Sequence, residues 1–374
     1  MSKVPSQAVF ILDSPINAYL VSILAAKYDL VEVIYAIDPL VKAESEYLSI
    51  FRLLLSNVKI SGETIFNYNS HDFWTVNREK VVQSLLEKLK VPLKNKKSDS
   101  VFFGNSMTNP VAAAAQRLVV INHLYHSPAD FYFLLDKNKE NLKKRFIKFC
   151  KKIVGQIVNR KASNIYLKGQ PIYTLFDFSK SNNPEYFHNL SFMEFSNSEV
   201  EKVLRPLQSM VSTQENVTML LLSGSEPQPG DSNPSEIELY LSPHLDAIDK
   251  LMEKENLKKL TIWIKEHKSY IPLNSRERKL ITDNFELRGC EVFFISDIIS
   301  PKIRLLPGEC ILRYCNFTYL IGEPSSMLLN IANGPTKSYA ACSPFAPFRD
   351  SAQIQRNEEF IEINNLSLHS CNYF

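Results

Sequence analysis

Apolar residues in this chain gather into short runs set between longer amphipathic stretches. The alternation predicts strands and helices in turn. In the first third, AVFIL (8–12), VEVIYAI (31–37) and SVFFGNS (100–106) read as strands. INAYLVSILAAKY (16–28), residues 41–56 and residues 79–90 read as helices between them. PVAAAAQRLVVINHLY (110–125) opens on Pro, which a first helical turn tolerates, and reads as one further helix. Such alternation predicts an open parallel sheet with helices on both faces.

The stretch 137–161 breaks the pattern. It holds ten Lys or Arg and one acid, interleaved with Phe146, Ile147, Phe149, Ile153 and Val154, and reads as a basic amphipathic helix. A face of this kind is either a solvated surface or a contact for an anionic membrane or polymer. Residues 178–198 are polar and aromatic with little periodicity, which predicts a linker. The alternation then restarts. VTMLLLSGS (217–225), KLTIWIKEH (259–267), CEVFFISD (290–297), FTYLIGE (317–323) and YAAC (339–342) read as strands. Helices are expected through about residue 256 after a Pro/Ser/Gly-rich loop, and at 277–289, 308–315 and 324–333. The fold class is thus α/β, with two Rossmann-like domains facing across a cleft.

Composition narrows the function classes. The 374 residues are 45% apolar and include 23 Phe and 16 Tyr, which excludes a mainly disordered chain. At roughly 100–200 residues per domain the length suggests two domains. With 43 Lys+Arg against 40 Asp+Glu the net charge is +3, and a general nucleic-acid binder is excluded. Six Cys without a CxxC argue against a disulfide scaffold or a structural zinc site, and fit a reducing compartment. Asp13, Pro15 and Asn17 interrupt the apolar opening, so it is no signal peptide, and no window matches a spanning helix. The expected location is the cytoplasm, with any membrane contact peripheral, at the inner face of an anionic membrane.

Ligands of open α/β sheets bind where strands stop. FTYLIG ends at Gly322-Glu323, and the following Pro324-Ser325-Ser326 offers hydroxyls and free N–H groups for a phosphate. Ser is also a common helix cap. KLTIWIKEH ends at Lys265-Glu266-His267, and His is the side chain suited to proton transfer near neutral pH. TMLLLSGSE ends at Ser223-Gly224-Ser225-Glu226. In the first half, His126 and Asp130 share one loop, where either could be a base or could cap a turn.

In this order, the pieces resemble the bacterial two-domain sialyltransferases of the GT-B type, including the polysialyltransferase and lipooligosaccharide sialyltransferase groups. IKEHKS (264–269) is similar to the family's His-Pro element, IGEPSSMLL (321–329) to its paired-serine element, and LLLSGSEP (220–227) to the loop after the first strand of the second domain. Glu309 in LPGECIL is similar to the family's ribose-binding Glu. The resemblance implies an inverting transfer from CMP-sialic acid to a glycan or glycolipid acceptor by single displacement. It implies an acceptor-binding domain at 1–185, to which a C-terminal helix in 349–374 returns, and a CMP-binding domain at 186–348. Ser223, Gly224, Ser225, Lys265, Glu309, Gly322, Ser325 and Ser326 would bind the donor, and His267 would meet the leaving phosphate. Lys143, Lys144, Lys148 and Lys151 would face an anionic acceptor or membrane.

Two departures bear on the chemistry. Lys268 replaces the Pro after the His, and the acidic-pair-Gly element is absent from the first domain, where Tyr125-His126-Ser127-Pro128 stands instead. The base is then His126, Glu226 or Asp130. The donor could also be another CMP-linked acid such as Kdo, or the chain could be a non-catalytic nucleotide-sugar binder. No Asp-x-Asp occurs, and no metal or other cofactor is expected beyond the donor itself.

Overall fold

The computed structural model describes residues 7–38, 44–68, 78–94, 100–105, 109–125, 171–181, 184–222, 234–266, 273–299, 305–341 and 351–374. The chain divides into two compact units. One comprises Met1–Leu175 with Ser181–Leu190, the other Phe176–Lys180 with Ser191–Phe374.

The first unit holds a seven-stranded sheet. Its strands are β1 (Gln7–Leu12), β2 (Leu30–Ile37), β3 (Ile60–Asn67), β4 (Val101–Gly104), β5 (Ile121–Tyr125), β6 (Ile172–Thr174) and β7 (Phe187–Asn189). They lie in the order β3-β2-β1-β4-β5-β6-β7, and every pairing is parallel. All six residues of β1 are buried, as expected of a central strand covered on both faces. The helices are α1 (Pro15–Leu24), α2 (Glu44–Leu54), α3 (Arg78–Lys94) and α4 (Pro110–Ala115). In α3, Val82, Leu85, Leu89 and Leu93 recur at helical spacing and pack with Val111, Ala112 and Ala115 of α4 in one apolar cluster.

The second unit repeats the theme. Its strands are β8 (Val217–Leu221), β9 (Leu260–Lys265), β10 (Cys290–Phe294), β11 (Tyr319–Gly322), β12 (Lys337–Ala340) and β13 (Asn372–Tyr373). The order is β10-β9-β8-β11-β12-β13, again all parallel. The helices are α5 (Ser198–Val211), α6 (Pro234–Lys254), α7 (Ser275–Glu286), α8 (Ile295–Ile298), α9 (Gly308–Tyr314), α10 (Ser326–Asn330) and α11 (Ser351–Asn364). Ile237, Leu241, Leu245, Ile248 and Leu251 of α6 cover the sheet with Ile281 and Phe285 of α7. Both sheets run 3-2-1-4-5 outward from their first strand, so the chain is an α/β protein of two Rossmann-like units, as the alternation predicts.

Several local expectations are corrected. Residues 110–125 are not one helix. The chain turns after Ala115, with Leu118 N donating to Ala115 O (2.8 Å), and the β-branched residues that follow run into β5. A short apolar run suits either period, and pairing with β4 decides it. β3 escapes the sequence pattern because its residues are mostly exposed or half-buried. The stretch 178–198 is not a bare linker. It supplies β7, and Phe192 and Phe195 are buried. The C-terminal segment, expected to return to the first domain, places β13 beside β12 in the second sheet. It also meets residues 176–180, since Lys180 N donates to Leu366 O (2.8 Å) and Leu368 N to Asp177 Oδ2 (3.3 Å). The basic stretch 137–161 lies outside the described residues. Among the described residues no helix is long and apolar enough to cross a membrane.

Candidate functional site

In the second sheet the strand order reverses between β8 and β11, which makes the carboxyl edge at this pair the crevice where open sheets take ligands. Gly322 ends β11 opposite Leu221, the last residue of β8. A Cβ on Gly322 would lie 2.9 Å from Leu221 Cβ, so only glycine lets the two strand ends approach this closely. The end of β8 is held from two sides. Leu222 N donates to Lys265 O (3.2 Å), and the fully buried His244 of α6 sets Nε2 3.2 Å from Leu221 O.

The neighbouring strand β9 ends in Lys265-Glu266. Glu266 is fixed by Arg278 of α7 (3.2 Å), which also bonds Asp297 and Ser296 and lies over the Phe294 ring. Helix α7 itself is started by a reciprocal cap between Asn274 and Glu277. The Lys265 stem runs beside α9. A Cβ on Gly308 would lie 3.6 Å from Lys265 Cδ and only 2.2 Å from the end of the Met327 side chain. Glycine at 308 therefore lets α9, α10 and the lysine stem converge.

Glu309, the next residue, is 5% exposed, and its Oε1 accepts from Asn330 Nδ2 at 2.9 Å. Its neighbour Cys310 reports the local field. Burial pushes that thiol up, Glu309 raises it further, and Lys265 pulls it down, so carboxylate and ammonium act on the same thiol.

Helix α10 is shorter than the sequence predicts, five residues from Ser326 rather than a run from 324 to 333. So short a helix has little macrodipole, and an anion there would depend on local N–H groups and hydroxyls. Ser325 occupies the N-cap position in extended backbone, but its side chain makes no cap bond. Its Oγ is buried with no hydrogen-bond partner, and so is Asn330 Oδ1 at the other end of the helix. Buried polar groups are nearly always paired, so an orphaned hydroxyl at a switch point marks a place that a ligand or water completes.

The structure thus sets Lys265 and Glu309 around Cys310, and places Gly322, Ser325 and Ser326 along the chain from β11 into α10. Ser223, Gly224, Ser225, Glu226, His267, His126, Asp130, Lys143, Lys144, Lys148 and Lys151 lie outside the described residues. Sequence reasoning missed three participants. Asn330 and Gly308 gain meaning only through partners distant in the chain, and His244 sits inside a helix with no local signal.

No family model matches the chain, and a search of the curated proteins found no match. The chain is similar in structure to a trehalose-6-phosphate protein from E. coli, solved with UDP-2-fluoro glucose bound. That likeness spans 97% of this chain and 96% of the other, with a TM-score of 0.40 and 10% identity.

Proposed function

We propose that the protein is an inverting glycosyltransferase of the GT-B kind, which moves sialic acid or another CMP-linked acid sugar to a glycan acceptor. The observation that carries this reading is the orphaned, buried Ser325 hydroxyl at the switch point of the second sheet. The same unit holds the buried Glu309 carboxylate, bonded to Asn330 of α10, and Lys265 at the end of β9, in the sequence pattern that resembles the CMP-binding family. In this reading the Ser325 and Ser326 hydroxyls and the N–H groups of the first turn of α10 receive the single phosphate. Glu309, oriented by Asn330, accepts from the ribose hydroxyls. Lys265 offsets the donor's charge.

The acceptor oxygen forms its bond to the anomeric carbon as the bond to the phosphate oxygen breaks. The electron pair leaves with CMP, and His267 stabilises or protonates that oxygen. The acceptor proton goes to His126, Glu226 or Asp130. Charge on one phosphate is within reach of an imidazole and hydroxyl donors, so the reading needs no metal.

The test is calorimetric titration with CMP, UMP and GDP, followed by CMP release from CMP-sialic acid with a galactoside or sialoside. Preference for CMP with acceptor-dependent release supports the reading. Preference for another nucleotide refutes the donor, and CMP binding without transfer to a broad set of acceptors favours a non-catalytic binder. Should His267→Ala keep full turnover, its assigned role is wrong, because losing a general acid costs on the order of 10²–10⁴ in rate.

A further inference from the structure

The edge strands of the two sheets are unequal. β7 spans three residues, β13 two and β10 five, whereas β3 spans eight. A short edge offers little to another chain, but a long one presents a row of open backbone groups. The β3 sequence, ISGETIFN, also lacks the Pro and Lys that commonly blunt an edge. β2 pairs along one side of β3, and no strand lies along the other among the described residues.

The pairing fixes which backbone groups face outward. Tyr68, just past the strand, donates its N–H inward to Ile37 O (3.0 Å). Directions alternate along a strand, so Phe66 and Thr64 also turn their backbone groups toward β2, and Glu63 and Ile65 turn theirs outward. The register shift against Val31 and Glu32 falls at Ser61 and leaves the segment from Gly62 onward regular. Glu63 and Thr64 are exposed, and so is the apolar Ile65, at 41%.

This segment complements a copy of itself. In an antiparallel pair centred on Thr64, Glu63 of each copy lies opposite Ile65 of the other, and each such pair exchanges both of its backbone bonds. At the positions between, where side chains come closer, Thr64 meets Thr64 and Gly62 meets Phe66. Threonines facing each other across strands are favourable, and an edge glycine leaves room that an aromatic ring opposite it covers. Phe66 is half-buried against the apolar cluster of its own sheet, which holds the ring in place. Charge does not oppose the contact. Glu63 accepts from Arg52 of α2 (3.1 Å) and from the Tyr35 hydroxyl (3.0 Å). The Arg52 side chain is 58% exposed, and Glu63 of the second copy lies diagonally opposite its own Glu63, within reach of a long side chain. A pair centred on Glu63 would instead set two carboxylates face to face.

We propose that β3 is an interface between two copies of this chain, which pair antiparallel through Gly62–Phe66 about a two-fold axis at Thr64. The same patch serves both copies, so the contact closes as a dimer. Its small extent places it among weak, transient interfaces. The proposal goes beyond the glycosyl-transfer reading and does not depend on it.

The test uses the full chain without donor or acceptor. Sedimentation equilibrium is expected to show the mass rising with concentration from 42.9 kDa toward twice that value, with a midpoint on the order of 10–100 µM. Thr64→Lys sets two like charges opposite each other and is expected to raise that midpoint about tenfold or more. Its melting temperature should be unchanged, because the position is exposed. Thr64→Cys reads the register. The two Cα atoms would lie about 4.5 Å apart, inside the range of about 4.4–6.8 Å that a disulfide spans. Mild oxidation is expected to give a covalent dimer from Thr64→Cys and little from Ser209→Cys, an exposed control on α5. Wild type, whose described cysteines are buried, supplies the background. If Thr64→Lys lowers the melting temperature, the cross-link decides. The proposal is overturned by a monomeric mass up to about 1 mM. It is also overturned by a dimer that a folded Thr64→Lys leaves intact, or by cross-linking of Thr64→Cys no faster than of the control.

Discussion

Ser325→Ala removes a hydroxyl that the folded protein buries and leaves unbonded. A partnered hydroxyl would contribute about 1 kcal/mol to stability, and here there is no such bond to lose. The unpaired group instead costs about 1–3 kcal/mol in lost hydration, part of which the alanine recovers. The ligand-free variant should therefore melt at the wild-type temperature or a few degrees above it, since about 1 kcal/mol shifts a domain of this size by roughly 2–4 °C. With CMP present the sign reverses. A hydrogen bond to a charged group is worth about 1.5–3 kcal/mol, so affinity should fall roughly 10- to 150-fold. Thermal melting without ligand and calorimetric titration with CMP read the two halves separately. Loss of several degrees in the absence of ligand would mean that the hydroxyl is bonded within the protein. Unchanged CMP affinity would mean that it does not hold the phosphate. Either result refutes the reasoning.

Glu309→Gln keeps the bond from Asn330 and loses the charge, so the fold should survive. Wild type should prefer CMP to its 2′-deoxy form, and the variant should lose most of that preference. An undiminished preference removes Glu309 from the ribose. Away from the site, the Glu255 carboxylate accepts from Lys337 (2.7 Å), Tyr339 (2.9 Å) and Tyr319 (3.3 Å), and the bond from Lys337 does most to hold its pKa below the usual carboxylate value. A depressed carboxylate stabilises the fold fully above its unfolded value, about 4.3, and that contribution fades as pH falls toward the folded value. Melting temperature should drop in acid, less steeply in Glu255→Gln than in wild type. Equal acid slopes in the two proteins would show that this cluster contributes nothing. Finally, transfer activity should be unaffected by EDTA, and full loss restored by magnesium would contradict the metal-free reading.

Much of the fold was legible along the chain. Buried parallel strands need near-continuous apolar runs, and AVFIL, VEVIYAI and KLTIWIKEH announce themselves in that way. Helices that cover a sheet need apolar residues at helical spacing, which α6 and α7 supply. Strands at the margin carry a weaker mark. β3 is mostly exposed or half-buried, and β13 pairs over two residues only. Their identity comes from the neighbour that each one pairs with.

The same division holds for the candidate sites. Sequence alone determined the alternation, the strand ends and the serines and acids near them, because local period and turn chemistry act over a few residues. Tertiary structure decided which of those ends lie side by side. Asn330 meets Glu309 across 21 positions of chain, and Lys265 meets Gly308 across a longer stretch. Asp13 and Asp38 act on the same two phenols, Tyr47 and Tyr68, only because β1 and β2 pair in parallel and end at the same edge. Proximity of that kind is set by the packing of whole elements, and no local stretch of residues encodes it.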